Sequence, residues 1–128
     1  MKDFKKWNEK KEKIHANESE HFFYEREIWW CSIGANVGRE EDGKGGKFNR
    51  PVIIFKKFNQ DVLLALPITT SVKSGKYYFP INLPDSIRRS VILSQIRLID
   101  AKRLNDKLGM VSVKEFEEMK KAFIRIIQ

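Results

Sequence analysis

The chain of 128 residues holds a single cysteine, Cys31, which rules out an intrachain disulfide and any thiolate metal cluster. A reducing compartment fits this usage. No apolar run approaches the roughly 18 residues of a membrane span. The opening residues Met1-Lys2-Asp3-Phe4-Lys5-Lys6 carry no apolar stretch of the secretory kind. The sequence therefore predicts a cytoplasmic protein with no membrane partner. Histidine is equally scarce: His15 and His21 are the only two, and both precede the main body of the chain. A two-histidine acid–base site would have to be built outside that body. There is no H-E-x-x-H, the Gly-Lys cluster at residues 43–47 does not have P-loop spacing, and the acids do not fall at ligand spacing. No metal and no cofactor are expected.

What is abundant is positive charge and apolar material. The net charge is +8, and 41% of the residues are hydrophobic, enough for one core in a domain of this length. Residues 1–24 hold six lysines against five acids, a net of +1, which leaves +7 on residues 25–128. The body, not a tail, is basic. Such a balance favours a polyanionic partner, because each phosphate contact releases condensed counterions. It also occurs in small basic proteins that bind nothing specific.

Phe4, Trp7 and Ile14 share one face of a helix predicted over residues 3–16, which sets off an N-terminal helical extension, residues 1–24, from a domain at 25–128. Strands are predicted at 27–33, 52–55, 62–66 (ending at Pro67), 77–81, and 90–95 running on to 99, with a short one at 109–111. Residues 38–49 are glycine-rich and charged and read as a loop. Ser112 and Glu115 form the S-x-x-E pattern of a capping box. Val113, Phe116, Met119, Phe123 and Ile126 then make the apolar stripe of a final helix, read as core packing. Short strands joined by turns and followed by a helix predict a mainly β, α+β fold: a small antiparallel barrel or curled sheet with helices packed on it.

Two strand-end positions offer chemistry suited to a metal-free attack on RNA, whose 2′-hydroxyl is a built-in nucleophile. Arg50 precedes Pro51, and Thr69 and Thr70 follow Pro67-Ile68. A guanidinium fork matches two phosphoryl oxygens, and a threonine hydroxyl adds a hydrogen bond. The arginine also reads as an ordinary solvated charge. Trp29 and Trp30, adjacent on a strand, must point to opposite faces, one to the core and one outward.

Four blocks carry a resemblance. Residues 27–38 (EIWWCSIGANVG) look like the opening strand and loop of MazF/PemK toxins. Asn49-Arg50-Pro51-Val52-Ile53-Ile54 resembles their R-P-V strand, and Leu66-Pro67-Ile68-Thr69 their P-I-T corner. Residues 90–104 (SVILSQIRLIDAKRL) are similar to their V-x-L-x-Q-I-R-x-I-D-x-x-R-L segment. Four blocks in order, over roughly residues 25–127, make the resemblance specific. It implies an SH3-like curled antiparallel barrel with a C-terminal helix, to which the N-terminal helix is extra. It also implies a homodimeric toxin of a type II toxin–antitoxin pair, neutralised by a cognate antitoxin. The implied activity is that of a metal-independent endoribonuclease cutting single-stranded RNA at short motifs, leaving 2′,3′-cyclic phosphate and 5′-hydroxyl ends. The family's catalytic arginine and threonine match Arg50 and Thr69. Lys44, Lys47, Thr70 and Arg97 are the RNA-contact candidates. Arg97 is read first, together with Asp100, as an ion pair or hydrogen-bond network at the dimer interface. Some relatives carry an arginine–aspartate pair where this chain has Ile92 and Ser94, so it should depend on Arg50 and Thr69. The alternative is a noncatalytic nucleic-acid- or protein-binding module on the same barrel, such as a toxin homologue acting on a protein target.

Overall fold

A computed structural model describes residues 22–33, 49–71 and 73–128. The predicted N-terminal helix, the extension at 1–24 (apart from its last three residues) and the loop with Lys44 and Lys47 lie outside the described residues. What is described is an antiparallel sheet of seven strands with one C-terminal helix. The strands are β1 (Glu27–Ser32), β2 (Asn49–Lys57), β3 (Val62–Thr69), β4 (Tyr78–Ile81), β5 (Arg89–Ile92), β6 (Arg97–Asp100) and β7 (Leu104–Met110), and the helix is α1 (Val113–Ile127). Their order across the sheet is β4-β5-β3-β2-β1-β7, and β6 also pairs with β3.

Alternation along the central strands splits the apolar residues between two faces. Ile28, Ile53, Leu66, Ile68 and Val91 pack under α1 against Phe116 and Met119. Trp29, Cys31, Val52, Ile54, Leu63, Ala65 and Ile99 form a second cluster, to which Phe23 is added. The tryptophan pair divides as expected: Trp29 is buried with its indole N–H donating to Glu27 Oε1 at 3.0 Å, and Trp30 is exposed.

Besides β2, which covers Asn49–Lys57 rather than 52–55 and so takes in Arg50, three elements depart from the sequence reading. The long strand expected over 90–99 is broken by a 3-10 turn, Leu93–Gln95. The free edge of β3 pairs first with β6 (Ala65↔Arg97) and then with β5 (Ile68↔Val91), so the register steps by three residues between them. An odd step exchanges the faces. Val91 therefore looks toward α1, whereas Arg97 and Ile99, of the same parity, look the other way. Secondly, β3 does not end at Pro67 but runs on through it to Thr69. The proline sits where that edge passes from β6 to β5, so the ladder hydrogen bond it cannot donate falls at an interruption. Thirdly, β7 covers Leu104–Met110 rather than three residues. It is half exposed and bulged against β1, so its polar residues show no clean alternation.

Candidate active site

Arg50 and Thr69 are brought together by register. Val52 pairs with Pro67, and continuing that antiparallel register by two residues sets Arg50 across from Thr69. Both therefore project from one face of the sheet, the face of Val52, Ala65 and Cys31. The row extends to either side, since Cys31 on β1 is the partner of Arg50 and Ser90 on β5 is the partner of Thr69. A thiol, a guanidinium and two hydroxyls thus lie side by side across four strands, at cross-strand spacings of about 5 Å.

Contacts hold each group in place. Arg50 Nη2 donates to the Ile68 carbonyl at 3.3 Å, which draws the guanidinium along β3 toward the threonine corner. The Thr69 hydroxyl oxygen accepts the backbone N–H of Ser71 at 3.1 Å, a local turn that stops the strand. Accepting through a lone pair leaves the hydroxyl's own hydrogen to donate.

The row is more covered than strand-end positions suggested. Relative exposure is 6% at Arg50, 5% at Thr69 and 6% at Ser90. The reason is topological: Arg50 and Thr69 are flanked by β1 and β5, so they occupy the middle of a row rather than a rim. Burial pushes the Cys31 thiol up to about 12, and the Arg103 and Arg97 guanidiniums pull it back by less. The thiol is neutral at physiological pH. The guanidinium beside it sits in a low-dielectric setting, where electrostatic interactions are strongest.

Arg97 faces this same side of the sheet, because the three-residue step at Leu93–Gln95 turns it there. No ion pair joins it to Asp100 within the chain, because Asp100 lies an odd number of positions away on β6; the dimer-interface reading of the two concerns a second copy of the chain. The Asp100 carboxylate instead accepts the Lys102 N–H at 2.8 Å and caps a second 3-10 turn. Thr70 is exposed just beyond β3. Lys44 and Lys47 fall outside the described residues. Ile92 is buried, and Ser94 sits exposed in the 3-10 turn. Among the described residues no group of three histidine, cysteine or carboxylate side chains could hold a metal ion. Ser90 was not singled out in the sequence: only the pairing of β3 with β5 brings it beside Thr69.

The sequence matches the PemK-like, MazF-like toxins of type II toxin-antitoxin systems over residues 24–127. The chain belongs to that family. Comparison with curated protein sequences returns no match. Solved structures give the same fold. A mycobacterial endoribonuclease in complex with its cognate antitoxin aligns with a TM-score of 0.65 at 14% identity, over 83% of this chain and 95% of that one. MazF from Deinococcus radiodurans aligns with a TM-score of 0.64 at 13% identity, over 84% and 97%. A MazF toxin of Mycobacterium tuberculosis gives 0.60 at 16% identity, over 80% and 96%. The MazF/PemK assignment gives the row of polar groups a chemical context, and no helix among the described residues is long and apolar enough to cross a membrane.

Proposed function

We propose that this MazF/PemK-family toxin is an endoribonuclease that cuts single-stranded RNA without a metal ion, acts in the cytoplasm as a homodimer, and is neutralised by a cognate antitoxin. The observation that carries the reading is the cross-strand placement of Arg50 and Thr69 on one face of a rigid sheet. In the reaction the ribose 2′-oxygen attacks the adjacent phosphorus and loses its proton. The bond from phosphorus to the 5′-oxygen breaks, and that oxygen takes up a proton. The products are a 2′,3′-cyclic phosphate and a 5′-hydroxyl. Negative charge builds on the two non-bridging oxygens, where the Arg50 guanidinium provides fixed, planar donors. Thr69 supplies a further hydrogen bond from the hydrogen its hydroxyl retains. Because the sheet already holds both groups, little reorganisation is needed when the charge develops.

Support also comes from the solved relatives: one of the structures sharing the fold is described as an endoribonuclease bound to its antitoxin. The test is incubation of the purified protein with mixed single-stranded RNA in EDTA. Fragments bearing cyclic phosphate are expected, and Arg50→Ala is expected to abolish them while the circular dichroism spectrum stays native. Intact RNA beside an active relative would reject the reading. Growth inhibition unaffected by Arg50→Ala would favour a noncatalytic toxin acting on a protein.

A further inference from the structure

The polar row does not stop at Thr69. Its next members, Ser90 on β5 and then Pro80 on β4, lead into a cavity of about 280 Å3. Ser71, Lys73, Asn82, Arg88, Arg89 and Ser90 contribute to its wall. The cavity therefore touches the covered Arg50–Thr69 pair through Ser90, and through Ser71, whose N–H is bonded to the Thr69 hydroxyl. Its charge is one-sided. Arg89 is neutralised by Asp85, which receives two hydrogen bonds of 2.8 Å from its guanidinium. No carboxylate among the described residues pairs with Lys73 or Arg88. Asp85 also accepts the Ile87 N–H at 3.1 Å, so the turn that presents Arg88 is fixed at both of its ends. Hydroxyls and an amide beside two cations that no described carboxylate pairs suit a phosphate and the polar edge of a base. The volume admits one nucleotide rather than several.

We propose that this cavity seats the nucleotide next to the scissile phosphate, with Lys73 and Arg88 holding that nucleotide's own phosphate and Ser90 joining the subsite to the Arg50–Thr69 pair. The inference rests on the ribonuclease reading. It also supplies what the covered pair needs, an open polar approach along the row from the β5 side.

Binding is measured with a short 2′-O-methyl RNA, which lacks the nucleophile and survives whatever the protein's activity, and cleavage with the unmodified strand. Lys73→Gln/Arg88→Gln removes two exposed charges and leaves the core untouched. It is expected to raise Kd and KM about tenfold, as for loss of a charged hydrogen-bonded contact, with kcat within about twofold. The salt dependence of binding should fall by about 0.7 in slope for one lost phosphate contact. Lys114→Gln/Lys121→Gln on α1 takes away the same charge elsewhere and should leave the slope unchanged. An unchanged Kd and slope in the first variant, or an equal fall in both, would overturn the subsite while RNA cleavage by the wild type still stood. Wild-type protein that binds the methylated strand through Lys73 and Arg88 but never cuts the unmodified one would remove the ribonuclease reading and with it the cavity's place beside a scissile phosphate, leaving a nucleotide-binding cavity only. A Ser90→Ala variant is expected to raise KM severalfold with native thermal stability, and an unaltered KM would count against Ser90 as the link.

Discussion

Cys31 shows how one side chain records its surroundings. It lies across from Arg50 and is fully buried, and burial outweighs the two neighbouring guanidiniums in setting its acidity. Its folded pKa is raised from 9.0 to about 12. Between those values the unfolded chain gives up the thiol proton and the folded protein keeps it. Stability from this group is therefore complete below pH 9 and is lost as the pH rises through 12, at a slope of about 1.4 kcal/mol per pH unit. Denaturant unfolding measured from pH 8 to 11 should show that decline, and Cys31→Val should remove it; an equal decline in the variant would refute the assignment. Thr69 yields a second expectation. Thr69→Val keeps the shape and removes the donor, so kcat should drop on the order of 10²–10³-fold, and Thr69→Ser should restore most of it. A Thr69→Ser protein as impaired as Thr69→Val would show that packing, not the hydroxyl, was lost.

The elements differ in how openly the sequence declares them. The start of α1 is declared outright, and the Ser112 hydroxyl accepts the Glu115 N–H at 3.0 Å. Ser112→Ala should lower stability by about 1 kcal/mol, read as a shift of the urea midpoint without a change in slope. The other half of the box is used differently: the Glu115 carboxylate accepts the Asn82 N–H at 3.3 Å and ties the helix to the end of β4. Long-range pairing is what local pattern cannot carry. Residues 90–99 are uniformly strand-forming, so nothing local betrays the turn at Leu93–Gln95, and that turn decides which face Arg97 joins. Arg50 and Thr69 were legible as candidates because they flank Pro51 and Pro67 in blocks resembling the MazF/PemK toxins. Their burial, and Ser90 beside them, depend on which strands are neighbours and so became visible only in the folded chain.

The molecule as a whole joins a basic body to a sheet that gathers its polar groups in one line. The net charge of +8 would draw many polyanions to the surface without distinguishing them. On the proposed ribonuclease reading, selectivity for a reacting phosphodiester comes from the row, where Arg50 and Thr69 are positioned by the β2–β3 register and by the Ile68 carbonyl. If the two groups grip a single phosphodiester, their effects on rate are coupled. A double-mutant cycle of Arg50→Lys and Thr69→Val, read by single-turnover cleavage of single-stranded RNA in EDTA, tests this. Each substitution alone should slow cleavage at least about 10²-fold, and the double variant should be only slightly slower than the worse single one. Losses that multiply, or an Arg50→Lys protein that cuts at the wild-type rate, would contradict the account.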